Sequence, residues 1–315
     1  MGIHVAGDAP AMDKLVDDTI SAVGAEIEAL AVPKLRGVVL GGGYGRGEGG
    51  VLVSSDGREA LSNDLDFYVV AEDGSSDAEI AAIGETLKPV SERWTARLGV
   101  DVDFCVAKTP WRLRHDQDRI MIQELIHGYF DVAGMKGEAL FADVERREPS
   151  SFPWMEAARL LMNRGAGLIL ASESDDGRFI VRNINKAILG AGDARLVARG
   201  AYRWSAVERA ESLGDRLYSD AVEWKFRPSE SAVCDWERAR KAWLEAYDEI
   251  MDVGGAAKAR TAYSAVRWVV RRRTLGDFKS IGLDPVVRVL RGVADAIRLR
   301  GPFPESLKKD WMIFN

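Results

Sequence analysis

The sequence has no surplus of positive charge. Its 43 lysines and arginines are outnumbered by 49 aspartates and glutamates, which gives a net charge of −6 at pH 7. Proteins that bind nucleic acids in general usually carry a basic surface. We therefore expect no general DNA binding, although this composition still allows a local basic cleft.

Cysteine and long apolar runs are also scarce. Cys105 and Cys234 are the two cysteines of the chain, too few and too far apart for a disulfide framework or a thiolate zinc site. No run of about 18 apolar residues suggests a membrane span, and the first residues lack the basic and apolar regions of a signal peptide. These absences predict a cytoplasmic protein with no membrane partner.

The pattern of apolar residues changes at Pro149 and Pro153. Before them, helical spacing predicts helices over Met12–Leu30, Ala78–Leu98 and Arg119–Phe130. Alternation of apolar and polar residues predicts strands over Gly37–Leu40, Leu65–Val70 and Val100–Val106. We expect residues 1–11 to be a loose end. After these two prolines we predict helices over Trp154–Ser172, Ile184–Arg199, Ala201–Leu213, Ser229–Val253, Ala256–Arg273 and Pro285–Arg300. The expected fold is α+β, with a small mixed-sheet domain over residues 1–149 and an all-helical domain over residues 150–315.

A glycine-rich turn, from Gly41 to Gly50, follows the first predicted strand. A Walker A loop would end in Gly-Lys-Ser/Thr, whereas this chain has Gly47-Glu48. A dinucleotide-binding turn would be followed by a helix, and residues 51–57 do not begin one. A hairpin tip without a ligand is a further interpretation. The remaining interpretation of residues 41–50 is a triphosphate-binding turn, which requires a following strand with paired carboxylates.

That strand is present. Asp64 and Asp66 are separated by one apolar residue, so on a strand they share one face, about 6–7 Å apart. Carboxylates at this spacing can flank two divalent metal ions. Asp-X-Asp on a strand often only faces water, but a second acidic strand carries Asp101 and Asp103. Either could provide a third carboxylate, and we favour Asp103 because it lies deeper in the strand.

These motifs resemble a known superfamily. The segments Gly42-Gly43-Tyr44-Gly45-Arg46-Gly47-Glu48 and Asn63-Asp64-Leu65-Asp66 resemble the nucleotidyltransferases that share the palm fold of DNA polymerase β. Within that superfamily they are most similar to the uridylyltransferase domain of the bacterial enzyme that modifies a nitrogen sensor, and to the minimal nucleotidyltransferases. The similarity extends into Glu124–Val144, where a helix-turn-helix is expected. The gap over Gly49–Ser62 is longer than the family usually has.

The resemblance implies a role for each matching residue. Gly42 and Gly43 would hold the triphosphate, and Asp64 and Asp66 would bind two Mg²⁺ ions. The third carboxylate, Asp103 or Asp101, would be a further metal ligand and would activate the acceptor hydroxyl. The remaining implied roles are phosphate contact by Arg46 and bracing of the turn by Glu48.

The helical half offers one candidate and several ambiguous residues. Lys186 lies early on an apolar helix. It is equally compatible with contact to the triphosphate, as in relatives of this superfamily, and with an ordinary helix edge. The tryptophans of this half, such as Trp236 and Trp243, could stack on a base but are more typical of a helical core at this spacing.

The sequence therefore predicts a nucleotidyltransferase. It would use Mg²⁺ to move a nucleoside monophosphate from a nucleoside triphosphate to a hydroxyl of a small molecule, a protein or an RNA end, with release of pyrophosphate. The alternatives are a catalytically silent nucleotide-binding protein that retains the fold and a dinucleotide-dependent oxidoreductase.

Overall fold

The structure is a computed structural model, and it describes residues 3–255 and 285–314. The chain divides into two compact units. The first is Met1–Glu148 together with Lys225–Ser229, and the second is Pro149–Trp224 together with Glu230–Asn315. The first unit combines strands with helices, whereas the described part of the second contains helices and no strand. The fold is therefore α+β, as the sequence predicts.

The first unit contains six strands and six helices within Met1–Glu148. In chain order they are α1 (Pro10–Leu30), β1 (Leu35–Leu40), α2 (Gly42–Gly45), β2 (Val51–Val53), β3 (Glu59–Leu61), β4 (Leu65–Ala71), α3 (Asp77–Leu98), β5 (Val102–Phe104), α4 (Pro110–His115), α5 (Ile120–His127), β6 (Phe130–Gly134) and α6 (Gly137–Leu140).

Four of these strands form one mixed sheet in the order β5-β4-β1-β6. Strand β1 is antiparallel to both β4 and β6, while β4 and β5 are parallel. The α3 helix makes the crossover that a parallel pair requires. Strands β2 and β3 form a separate hairpin, so the polar insert over Gly49–Ser62 contains a short β-ribbon.

Local sequence explains where α3 begins and ends. The Ser76 hydroxyl accepts a hydrogen bond from the Glu79 amide, and the Glu79 carboxylate accepts one from the Ser76 amide, which is a capping box. Gly99 ends the helix with a φ of 72°, a conformation that glycine adopts at little cost.

Apolar residues cover both faces of the sheet. One face packs against α1 and α3 and includes Val38, Leu40, Leu65, Phe67 and Val69. The other face packs against α4, α5 and α6 and includes Val39 and Val70. The alternation along β4 thus divides its side chains between two cores.

The predicted strand Val100–Val106 is wrong in length, since β5 covers Val102–Phe104. The Val102 amide donates to the Thr95 hydroxyl, and the Ser91 hydroxyl donates to the Val102 carbonyl, both from α3. These side chains satisfy the backbone groups of Val102, which belongs to an outer strand of the sheet. Asp101 therefore precedes the strand instead of lying on it.

Two further expectations for the first unit are wrong. Residues 3–9 are not loose, because Val5 and Ala9 are in the core and the Ala6 amide donates to the Gly49 carbonyl at 2.9 Å. No helix-turn-helix follows Glu124, because α5 ends at His127 and β6 begins at Phe130. Strand β6 also ends the predicted helix Arg119–Phe130 early.

Helices account for the described part of the second unit. They are α7 (Trp154–Ser172), α8 (Gly177–Ala198), α9 (Ala206–Leu213), α10 (Arg216–Phe226, whose last two residues group with the first unit), α11 (Trp236–Ile250), α12 (Pro285–Leu299) and α13 (Glu305–Phe314). The prediction for α7 is correct. Helix α8 begins seven residues earlier than expected, α9 and α11 begin later, and α10 was not predicted.

Two of the described tryptophans of this unit, Trp154 and Trp243, are buried, which supports the interpretation as core. Trp243 is fully buried and donates from Nε1 to the Leu161 carbonyl at 3.1 Å. Trp154 donates to the Ile250 carbonyl at 2.7 Å. The predicted helix Ala256–Arg273 lies outside the described residues. None of the described helices is long and apolar enough to cross a membrane.

Candidate active site

The strand register brings the predicted site residues of the first unit to one edge of the sheet. The end of β1 lies beside the start of β4, with Leu40 opposite Phe67, and the Gly41 amide donates to the Asp66 carbonyl at 2.9 Å. In the parallel pair, Asp66 lies opposite Asp103. The glycine turn and both acidic segments therefore meet where β1 ends and where β4 and β5 begin.

The carboxylates project from the face that packs on α5. Leu65 and Phe67 are buried in the opposite core, where Phe67 stacks on Phe104 with ring centroids 5.1 Å apart. Asp64 and Asp66 alternate with these residues, so they share the other face. Both are half-buried, whereas Asp103 is exposed.

Gly42 has no room for a side chain. A Cβ atom at this position would lie 2.2 Å from Asp66 Oδ2, and its φ of +62° is one that residues other than glycine rarely adopt. Gly43 is less crowded, since a Cβ atom there would lie 3.4 Å from its closest neighbour, the Glu48 carbonyl oxygen. Both amides belong to the first turn of α2, where N–H groups have no partner within the helix.

Tyr44 holds the turn against the β2–β3 hairpin. Its buried hydroxyl donates to the Gly50 carbonyl at 2.9 Å and accepts from the amides of Ser62 and Asn63 at 3.2 and 3.4 Å. Burial raises the pKa of Tyr44 to about 12. A Cβ atom at Gly49 would lie 2.1 Å from the Tyr44 ring, so that glycine is needed for packing.

Arg46 and Glu48 belong to a largely buried group of charges. Arg46 lies 3.3 Å from the Glu124 carboxylate on α5 and 3.8 Å from Glu48. Lys225 Nζ lies 2.5 Å from Glu48 Oε2. Arg46 thus has two carboxylates as neighbours, and Glu48 connects the turn to Lys225.

Negative charge is concentrated around β5. Partial loss of hydration raises the pKa of Asp103, and the charges of Asp64 and Asp101 raise it further. Burial, followed by the charges of Asp66 and Asp103, raises the pKa of the Cys105 thiol to about 12. The thiol is therefore protonated at neutral pH and is a poor nucleophile.

Two further predicted residues are Asp101 and Lys186. Asp101 is exposed and precedes β5, where its carbonyl accepts from the Leu65 amide at 2.8 Å. Lys186 is on α8, in the second unit. Its buried neighbour Asn185 has a structural role, since it donates to the Val181 carbonyl and accepts from the Val233 amide.

The acidic residues have the donor chemistry for Mg²⁺. Within residues 3–255 and 285–314, no three His, Cys, Asp or Glu side chains form a group that could hold a metal ion. Mg²⁺ in nucleotide-dependent enzymes is usually held by one or two carboxylates together with phosphate oxygens and water. Asp64, Asp66 and Asp103 offer carboxylate oxygens, and a Mg²⁺ ion here would need further ligands from phosphate and water.

A cavity of about 360 Å³ lies beside β5, between that strand and α3. Its lining is mainly apolar and includes Ile80, Ile83 and Leu87, with Arg112 and Asp77 among its few polar residues. Arg112 donates to Asp77 at 3.2 Å. The cavity therefore suits an apolar group and lacks the chemistry of a phosphate site.

Sequence reasoning missed four residues that shape the glycine turn: Tyr44, Asn63, Glu124 and Lys225. Asn63 is adjacent to Asp64, and its side chain accepts from the Gly50 amide at 2.7 Å. Tyr44 could have been noticed as the large residue among the glycines. Glu124 and Lys225 carry no local signal, because they reach the turn through tertiary structure.

Comparisons of the chain with models of known protein families, with curated proteins and with solved structures give no match. The resemblance to nucleotidyltransferases rests on two sequence segments, residues 42–48 and 63–66. The other observation that bears on function is the geometry of the sheet edge, where the glycine turn meets the two acidic segments.

Proposed function

We propose that this protein is a metal-dependent nucleotidyltransferase, which moves a nucleoside monophosphate from a nucleoside triphosphate to an acceptor hydroxyl and releases pyrophosphate. The observation that supports this most is the register at the sheet edge. Gly42 lies beside the Asp66 carboxylate, and Asp66 lies opposite Asp103. The glycine turn thus adjoins acidic residues on two neighbouring strands.

In this proposal the turn binds the triphosphate. Gly43 leaves space for a close approach, and the first-turn amides of α2 could donate to phosphate oxygens. Arg46 is held by Glu124 and Glu48 at the end of the same turn, so its charge offsets that of the two carboxylates. We assign Arg46 primarily the role of shaping the turn, and contact with phosphate only as a second role.

Asp64 and Asp66 hold the metal in this proposal, with Asp103 as the third carboxylate. We expect two Mg²⁺ ions, which when bound would offset the charge of the phosphates. A carboxylate at this position could also accept the proton of the acceptor hydroxyl. Asp101 is the alternative for this role.

A binding experiment tests the proposal. Thermal unfolding is measured with each of the four ribonucleoside triphosphates, with and without Mg²⁺, for the wild-type protein, Asp66→Asn and the control Asp18→Asn. Asp18 is exposed and pairs with Lys14 at 2.7 Å on α1. We expect a Mg²⁺-dependent rise in the unfolding temperature that Asp66→Asn loses and Asp18→Asn keeps.

Transfer is then tested with labelled triphosphates and cell extract. A labelled small molecule, protein or RNA identifies the acceptor, and loss of labelling in Asp66→Asn ties the reaction to this edge of the sheet. Binding without any labelled product would favour a catalytically silent nucleotide-binding protein. Metal-independent binding of a nicotinamide dinucleotide, or full activity of Asp66→Asn, would contradict the assignment.

A further inference from the structure

A group of four charged side chains, one buried and three half-buried, lies at the end of the glycine turn. Arg46 and Glu48 come from the turn, Glu124 from α5 and Lys225 from the end of α10. Their side chains are 10–19 % exposed. Charges that are removed from water to this degree interact more strongly than surface pairs, so the contacts within the group decide where each side chain lies.

Lys225 makes the closest of these contacts. Its Nζ lies 2.5 Å from Glu48 Oε2, against 3.8 Å between Arg46 and the same carboxylate. Hydrogen bonds that join opposite charges are about twice as strong as those between neutral groups. The position of the Glu48 side chain therefore depends more on Lys225 than on Arg46.

The Glu48 backbone connects this contact to the turn. Its amide donates to the Gly43 carbonyl at 2.8 Å, and the next amide, that of Gly49, donates to the His4 carbonyl at 3.0 Å. Displacing Glu48 would therefore move the peptide group of Gly43, which is one of the two glycines proposed to hold the triphosphate.

We propose that Lys225 is a positioning residue for the glycine turn and acts through Glu48. Without Lys225, the Glu48 carboxylate loses its nearest cation while it stays largely shielded from water. The Glu48 side chain then loses the contact that fixes its position, and the Gly43 peptide group that bonds to the Glu48 backbone becomes less well held. The effect on nucleotide binding rests on the proposed function, whereas the effect on the turn does not.

Hydrogen exchange tests the part that is independent of function. Amide exchange is compared in the wild-type protein, Lys225→Met, Lys225→Arg and the control Lys14→Met, which removes an exposed lysine. We expect amides over residues 42–50 to exchange on the order of tenfold faster in Lys225→Met. Lys225→Arg and Lys14→Met should leave them unchanged. Unchanged exchange over residues 42–50 in Lys225→Met would overturn the proposal.

The double variant Glu48→Gln/Lys225→Met removes both charges. We expect it to fold even if Lys225→Met does not, and its exchange over residues 42–50 should be no faster than that of either single variant, since the two residues act through one contact. Additive acceleration would mean that Lys225 acts on the turn by another route and would overturn the proposal.

Nucleotide titration with Mg²⁺ then separates the two proposals. If the wild-type protein binds a triphosphate, Lys225→Met should weaken the apparent affinity on the order of tenfold, as is typical when a residue that orients a binding group is replaced. Lys225→Arg should keep the wild-type affinity. Unchanged affinity in Lys225→Met would overturn the positioning role. If the wild-type protein binds no triphosphate but the exchange result holds, the proposed function fails and the structural role of Lys225 stands.

Discussion

At the scale of single residues, the Tyr44 hydroxyl connects the glycine turn to the chain that follows it. It bonds to one carbonyl and to two amides. Phenylalanine in its place would leave these buried groups without their partner, at a cost of about 1–3 kcal/mol for each group that water cannot reach. We expect Tyr44→Phe to lower the free energy of unfolding in urea by about 2 kcal/mol or more.

The control for this variant is Tyr129→Phe. Tyr129 is half-buried, and its ring packs edge-on against Phe141, which phenylalanine preserves. We expect a change of less than about 0.5 kcal/mol. Equal effects of the two substitutions would show that the hydroxyl contacts of Tyr44 do not stabilise the fold.

The same hydroxyl predicts a pH dependence. Its pKa is about 12 in the folded protein and 10.0 when unperturbed, so the folded state keeps the proton longer than the unfolded state does. The contribution to stability is fully present below pH 10 and is lost as the pH rises toward 12. In urea unfolding at several alkaline pH values, the advantage of wild type over Tyr44→Phe should shrink in that range. A constant difference up to pH 12 would contradict the assignment.

At the scale of elements, α3 contains Gly84 at a position where the structure leaves room for a side chain. A Cβ atom at Gly84 would meet nothing within 4 Å, and the residue is exposed at the cavity beside β5. Gly84→Ala should raise the free energy of unfolding by about 0.5–1 kcal/mol, because alanine restricts the unfolded chain and favours helix. Gly49→Ala, which would clash with Tyr44, should have the opposite sign. Destabilisation by Gly84→Ala would contradict the geometry of α3.

Helices α8 and α11 are joined by ion pairs of Glu249 with Arg195 and Arg199, at 2.8 and 2.7 Å. Burial alone would raise the pKa of Glu249, but the hydrogen bonds from Arg199 and Arg195 outweigh it and lower the pKa. The pairs therefore stabilise the protein above the ordinary pKa of 4.5, and this contribution is lost as the pH falls through the lowered value.

Glu249→Gln tests this contribution. We expect wild type to be more stable than the variant by about 1–2 kcal/mol at pH 7, as measured by urea unfolding. The difference should shrink below pH 4.5, where the carboxylate takes up a proton. A difference that persists unchanged at pH 3 would show that the charge of Glu249 is not its source.

Elements with a clear apolar period were predicted well, and those without one were not. Alternation along Leu65–Val70 predicts β4 because both of its faces are constrained by cores. The same alternation over Val100–Val106 overestimates β5, because the length of this outer strand is set by its pairing with β4, which alternation does not encode. Helix α10 was missed because polar residues fill much of Arg216–Phe226.

The candidate site was predictable where it depends on neighbouring residues. The glycine turn, Asp64 and Asp66 follow from local sequence, whereas the register that sets Asp66 opposite Asp103 is seen only in the structure. The contacts of Glu124 and Lys225 with the turn were not predictable, because no motif in the surrounding sequence indicates them. The metal and nucleotide roles remain predictions.

At the scale of the whole molecule, the net charge of −6 predicts weak attraction to duplex DNA. Non-specific binding depends on neutralising phosphates and typically has a Kd of about 10⁻⁴–10⁻⁶ M at physiological salt. We expect duplex DNA to migrate unchanged in a gel with up to about 10 µM protein at 0.15 M salt. A shift at about 1 µM would mean that a local basic surface outweighs the total charge.

The contact between Glu48 and Lys225 has a consequence for biosynthesis. The two residues are 177 positions apart, so a ribosome that adds about 5–20 residues per second makes Lys225 roughly 10–35 s after Glu48. The last strand of the sheet, β6, ends at Gly134, so every strand has been made before Lys225 supplies the cation closest to Glu48. The glycine turn is therefore completed late in translation, long after the strands that it connects have been made.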